Sequence, residues 1–210
     1  MPEEAREPEM TPDENKKIRR EKKLGWKKNL MLYLHDVIVY LILICIIFTM
    51  VFRVVIVSGT SMNLTLLDGD YLLLLSNFFY RDPQYGDVIV ASKQSYDDGK
   101  PIVKRVIATE GQTVDIDFST GEVFVDGVLL EEDYIWTATT THGGVKFPLT
   151  VEEGCVFVMG DNRGNSRDSR YPDIGLVDER EILGKAIFLF LPGTNKGDFD
   201  PDYSRIGGID

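Results

Sequence analysis

Ser61, Lys104 and a charged cluster at residues 160–170 are the parts of this sequence whose side chains could do covalent chemistry. Ser61 stands in Ser58-Gly59-Thr60-Ser61-Met62, a short polar stretch. A serine hydroxyl is a weak nucleophile until a base takes its proton. A Ser-His-Asp arrangement would need a histidine, and the chain has only His35 and His142. His35 belongs to an apolar run, and His142 lies in the Thr- and Gly-rich stretch 137–146, which reads as a surface loop and a poor support for a base. No Cys/His group has metal-ligand spacing and no Gly-rich phosphate loop is present, so neither a metal nor a cofactor is expected.

Lysine is the remaining base. Lys104 sits in Pro101-Ile102-Val103-Lys104-Arg105-Val106-Ile107, a strand pattern that puts Ile102, Lys104 and Val106 on one face. Two readings stay open. Lys104 is an exposed lysine on a half-buried strand, or it faces inward, where desolvation lowers its pKa from about 10.4 and a neutral amine could accept the proton of Ser61 Oγ. The third stretch, Gly160-Asp161-Asn162-Arg163-Gly164-Asn165-Ser166-Arg167-Asp168-Ser169-Arg170, follows an apolar strand. Its composition is that of a loop, and composition alone makes it a surface turn.

The elements that must position these groups begin with residues 30–52, apolar except for His35 and Asp36. As a helix this run is about 34 Å long, enough to span a bilayer, with His35 and Asp36 at the hydrated interface. The run is longer than a signal-peptide core, and Arg53-Val54-Val55-Ile56-Val57 follows where small residues would be wanted for cleavage, so an uncleaved anchor is expected. Eight Lys and Arg against one Glu fill residues 16–28. Such a block stays in the cytoplasm, which puts the N-terminus inside and the rest outside. Ser61 follows Phe52 by nine positions, so it should lie close to a membrane surface.

Beyond Arg53 the pattern changes to short β-branched runs broken by Gly, Pro, Asn and Asp, the signature of a mainly β domain. Strands are expected at 54–57, 71–75, 87–92, 102–109, 113–117, 122–125, 128–130, 156–159 and 185–191, with Asp126-Gly127 as a two-residue hairpin turn. Residues 54–210 hold 26 Asp and Glu against 13 Lys and Arg, which excludes a basic nucleic-acid face. Cys45 is in the apolar run and Cys155 in the domain, so an internal disulfide is not expected and Cys155 reads as a core residue. Asn77-Phe78-Phe79-Tyr80 reads either as a membrane-contacting loop or as a core edge. The expected organisation is a partly disordered basic arm at 1–29, with disorder over 1–15, an anchor at 30–52, a folded domain at 53–192 and a frayed polar tail at 193–210.

Taken together, the anchor, the Ser61-Met62 motif, Gly69-Asp70, Lys104-Arg105-Val106-Ile107 with Gly111, and Gly160-Asp161-Asn162-Arg163 with Ser166, Asp168, Ser169 and Arg170 resemble the bacterial type I signal peptidases, in that family's order and across residues 30–191. The resemblance implies a single transmembrane helix followed by a twisted antiparallel β-sheet catalytic domain that cleaves signal peptides of secreted preproteins outside the cytoplasm. It implies Ser61 as nucleophile, Lys104 as general base, Ser166 as the hydroxyl that orients the lysine, and Asp168 with Arg170 as the pair that stiffens the loop. The Ser61 backbone N–H becomes one oxyanion donor, with a second near Gly59. Substrate would add as an extended strand with small side chains before the cut, and the bilayer and the export machinery are the other implied partners. Three positions depart from the family pattern: Leu64 replaces a proline, Gly59 replaces a serine found in some members, and Ala108-Thr109-Glu110-Gly111 replaces Gly-x-Pro-Gly. Those departures motivate the competing reading, a non-catalytic anchored β domain that binds export or surface partners.

Overall fold

The computed structural model describes residues 12–194 and 201–209. Helix α1, Pro12–Val51, is continuous from the basic block through the apolar run. Pro12 suits the first helical turn, and the Lys-, Arg- and Glu-rich residues after it are good helix formers. The expected disorder at 12–15 is therefore replaced by helix, while residues 1–11 lie outside the described residues. Residues 24–51 form one helix long and apolar enough to cross a membrane, with its apolar side chains exposed all round. His35 and Asp36 sit side by side at 3.4 Å, both exposed. The helix stops at Val51, and Phe52, expected as its last residue, opens the first strand.

Residues 50–210 form a second compact unit. Its strands are β1 (Phe52–Ile56), β2 (Tyr71–Ser76), β3 (Val88–Ser92), β4 (Pro101–Ala108), β5 (Thr113–Asp117), β6 (Glu122–Val125), β7 (Val128–Leu129), β8 (Leu149–Thr150), β9 (Cys155–Met159), β10 (Val177–Asp178), β11 (Ile182–Leu191) and β12 (Gly207–Gly208). All pairings are antiparallel. One sheet runs β1-β2-β11-β3-β4-β9-β10 with β12 also on β11, and a smaller one runs β7-β6-β5-β8. Every expected strand forms, within three residues at each end. The hairpin turn has Asp126 at φ 52° and Gly127 at φ 77°, the doubly positive turn that joins tightly paired strands. The two-residue strands β8, β10 and β12 carry no periodicity and were not expected.

Three apolar clusters fill the unit. Val57, Met62, Leu66, Leu72 and Leu74 lie in the first, Val114, Val123 and Phe157 in the second, and Ile89, Val106, Val158 and Ile174 in the third. Cys155 packs half-buried against the second cluster as a free thiol. The tail does not fray over 201–209, because β12 pairs with Phe188 and Leu189 of β11 and Ile209 packs on the first cluster.

An apolar sheet face stays open to solvent. Register aligns Val54 with Leu73 and Leu73 with Phe188, and Val54, Ile56, Phe188 and Leu191 are all exposed. Phe78 and Phe79 are likewise exposed, in edge contact at 5.0 Å, whereas Tyr80 of the same segment packs half-buried against the third cluster as a core edge.

Gly184 marks a close approach of β11 to β2, since a Cβ there would stand 2.2 Å from the Leu75 carbonyl oxygen. Gly184→Ala is expected to cost about 1–3 kcal/mol of stability, as overpacking does. Urea unfolding of the detergent-solubilised protein measures it, and an unchanged midpoint would contradict so close a pairing.

Candidate active site

Ser61 is delivered by a turn that the core holds. Val57 N–H donates to Asp70 O at 2.8 Å and Gly69 N–H donates to Val57 O at 2.9 Å, which closes the loop between β1 and β2. Within that loop Met62 and Leu66 are each 1% exposed, and Leu66 N–H donates to Met62 O at 2.8 Å. Burying these two apolar side chains fixes the backbone on which the half-buried Ser61 stands. The Asn63–Leu64 peptide is cis. Leu64 itself points outward, 63% exposed.

Lys104 comes from β4, where residues 103–108 are all buried, so the exposed-lysine reading fails. Its side chain is 4% exposed in an apolar strand paired with Ile89 of β3. Nζ donates to Ser61 Oγ at 2.8 Å and to Val103 O at 2.9 Å. Burial penalises the ammonium and is the main reason the pKa is lowered to about 8. Asp168 and Asp161 pull the other way, and Arg170 adds to the lowering. At pH 7 about one amine in ten is then neutral, and a neutral amine at this distance can take the Ser61 proton.

The 160–170 loop is no surface turn, because Asp161, Arg163, Asp168 and Arg170 are all buried and ion-paired, while Arg167 stays exposed beside Asp173. Asp161 accepts from Arg105 Nε at 3.0 Å and Nη2 at 2.9 Å. Asp168 accepts from Arg170 Nε at 2.8 Å and Nη2 at 2.9 Å. Arg163 donates to Glu132 through Nη1 at 2.9 Å and Nη2 at 2.6 Å. Each pair is bidentate, the geometry in which a guanidinium and a carboxylate best offset their lost hydration. Asp168 also accepts from Gly160 N–H at 3.1 Å, and Arg170 Nη2 donates to Arg163 O at 2.9 Å, so this pair ties both ends of the loop.

From this base the loop grips the nucleophile's backbone. Asn162 N–H donates to Ser61 O at 3.0 Å, Asn162 Nδ2 to Thr60 O at 3.0 Å, and Asn165 Nδ2 to Thr60 Oγ1 at 2.9 Å. Gly160 fits where nothing larger could, since a Cβ there would lie 2.2 Å from Ser166 Oγ and 2.5 Å from Ser61 O. The contact implied for Ser166 is not formed. Its hydroxyl is buried with no hydrogen-bond partner among the described residues, because Lys104 Nζ turns to Ser61 and Val103 and the Ser166 side chain packs beside Gly160 instead.

Of the implied oxyanion donors, the Ser61 amide meets no acceptor among the described residues. The Gly59 amide is engaged by Asp68 Oδ1 at 2.7 Å, so the second donor is not that amide. The turn at Glu110, where the resemblance would place a proline, is held by Glu110 Oε2 accepting from Gly154 N–H at 2.8 Å. His142 is exposed and stacks on Phe118, with ring centres 3.6 Å apart. Arg105, Glu132 and Asn162 were given no roles by sequence reasoning. The available signal was an arginine inside an otherwise apolar strand.

Ser61 and Lys104 line a cleft of about 510 Å³ whose walls are residues 55–62 and 100–104, with Asn165 and Arg167 at one side. Strand β1 is the edge of its sheet, so one row of its backbone groups is open.

Comparison with known proteins adds the family. Residues 30–191 match the family described as signal peptidase, peptidase S26. A probable signal peptidase I-1 from Synechocystis is 38% identical over 67% of this chain and 72% of its own length. A signal peptidase I from Bacillus licheniformis is 33% identical over 82% of this chain and 94% of its own. A crystal structure of a signal peptidase I from Enterococcus faecalis V583 shares 32% identity and covers 50% of this chain and 97% of that one, with a TM-score of 0.40.

Because the Lys104 pKa is lowered, the amine is blocked by its proton below about pH 8 and free above it. Labelling of Ser61 by a serine-directed acylating probe should therefore speed up about tenfold per pH unit below that point and level off above it. A rate that is flat from about pH 6 to 9 would show that this amine is not the base.

Proposed function

The chain belongs to the signal peptidase family, peptidase S26, and on that premise we propose that it cleaves signal peptides from exported preproteins with Ser61 as nucleophile and Lys104 as general base. The observation that carries this reading is the 2.8 Å contact between a buried lysine amine and the hydroxyl of a serine that lines an open cleft. In the first half-reaction the neutral amine takes the Oγ proton while Oγ attacks the scissile carbonyl carbon. The oxyanion that forms is met by the Ser61 N–H, a kind of donor worth about 3–4 kcal/mol of barrier in comparable sites. Collapse breaks the C–N bond, the amine of the mature protein leaves with the proton from Lys104, and the signal peptide remains as an ester on Ser61. Water then attacks the ester, Lys104 again takes and returns the proton, and the peptide leaves as a carboxylate.

The substrate would bind extended, its main chain pairing with the open edge beside β1 and residues 58–60, as strand addition requires. Asp168 and Arg170 act as the pair that stiffens the loop behind the lysine. Membrane attachment is through the apolar run 30–51 of helix α1, with the basic residues 16–28 retained in the cytoplasm and the β unit on the outer side. The exposed apolar face around Val54, Ile56 and Phe188 gives that unit a surface suited to lipid.

Ser61→Ala and Lys104→Ala are each expected to lower cleavage of a preprotein by at least about 10³-fold, in detergent or liposomes. Wild-type turnover by either purified variant would overturn the assignment, and turnover by neither variant nor wild type would favour the non-catalytic reading.

A further inference from the structure

Asp70, at the entrance of β2, is fully buried, and a buried carboxylate persists only with donors around it. It accepts from Leu67 N–H at 2.7 Å, Gly193 N–H at 2.7 Å, Arg205 Nη1 at 3.0 Å and Arg205 Nη2 at 2.6 Å. Three of these four bonds come from beyond residue 191, where the family match ends. Arg205 Nη2 makes one more bond, to the carbonyl of Thr65 at 3.2 Å. Thr65 belongs to the turn that starts at Ser61, and its hydroxyl donates to Asp161 Oδ2 at 2.6 Å. Asp161 is paired with Arg105, the neighbour of Lys104 on β4. One residue of the nucleophile turn is thus held from two sides, by the tail at its carbonyl and by the 160–170 loop at its hydroxyl.

The tail is built to hold that position. Residues Tyr203–Arg205 form a single 3-10 turn whose start is capped by Asp202, which accepts from Ser204 N–H at 2.9 Å and Ser204 Oγ at 2.6 Å. Immediately after it, β12 pairs with β11, and Ile209 packs against the cluster that contains Met62 and Leu66. At Leu64 the turn lacks the proline that would fix its backbone, so an external clamp has something to supply.

We propose that residues 201–209 act through Arg205 as a positioning element of the nucleophile turn, keeping Ser61 Oγ within reach of the Lys104 amine. Arg205 touches no reacting atom. Its effect is on the alignment of two groups whose displacement by about 1 Å is enough to cost on the order of 10²-fold in rate. The proposal rests on the Ser61/Lys104 reading.

The test uses the full chain in detergent with a preprotein substrate. Arg205→Ala should lower kcat about 10- to 100-fold with KM within about two-fold of wild type, and should slow labelling of Ser61 by an acylating probe to a similar degree. A chain ending at Thr194 should behave alike, since it keeps the Gly193 donor and loses the clamp. Arg205→Lys keeps the charge at Asp70 but lacks the fork that also reaches Thr65, so it should recover part of kcat. A folded Arg205→Ala protein with wild-type kcat would overturn the proposal. If that variant does not fold, wild-type kcat in Arg205→Lys would overturn it, because the lysine keeps the charge at Asp70 without the fork that also reaches the Thr65 carbonyl. An inactive wild type that the probe does not label would remove the dyad reading itself, a result distinct from an active wild type beside equally active variants.

Discussion

An amine serves as a base near neutral pH when its ammonium form is disfavoured, here chiefly by keeping water from it, and that exclusion governs how the β unit is built around Lys104. Burial lowers its pKa to about 8, but the same dry surroundings contain Asp161 and Asp168, either of which would hold the proton on the amine. Each carboxylate is committed to an arginine of its own, Asp161 to Arg105 and Asp168 to Arg170, both pairs fully inside the protein. An arginine next to an acid offsets its field at the lysine, so desolvation remains the larger effect. The charged loop is therefore as much a part of the base as the lysine, and its burial is a condition for the chemistry.

The same constraint explains which parts of the molecule could be read in the sequence. Periodicity of two and turn chemistry at Asp126-Gly127 are local signals, and the strands they announce are present. Strand β8 has only Leu149 and Thr150, too short for alternation to show, and β12 is two glycines with no side-chain pattern at all. Nothing local reveals that the 160–170 loop is buried, because its composition is that of a surface turn and its partners Arg105 and Glu132 are far away in the chain. Ser61 and Lys104 were legible as chemistry, but only the fold settles whether that lysine faces water. Ser166 shows the limit of transfer by resemblance, since a matching residue type does not bring with it the rotamer that reaches the amine.

The departures from the family pattern share a physical character. Leu64 and Glu110 both replace residues that restrict the backbone, and in both places hydrogen bonds from distant segments do the restricting instead. Thr65 is held by Asp161 and Arg205, while Glu110 holds the amide of Gly154. A proline acts through the unfolded chain by removing conformations beforehand, whereas such bonds act only once their partners have assembled. Local rigidity has been exchanged for dependence on tertiary structure, and the order found at 201–209 fits that exchange.

Gly160 carries a further consequence. With a Cβ excluded by Ser166 Oγ at 2.2 Å and by the Ser61 carbonyl at 2.5 Å, it is where the base-side loop and the nucleophile's backbone meet without a side chain between them. In evolutionary terms this makes the site rigid at its centre and permissive at its rim. Sequence drift can reshape the turns at residues 64 and 110, because the rest of the fold absorbs the change. At residue 160 any side chain would push the two halves of the site apart and disturb the alignment on which the serine depends.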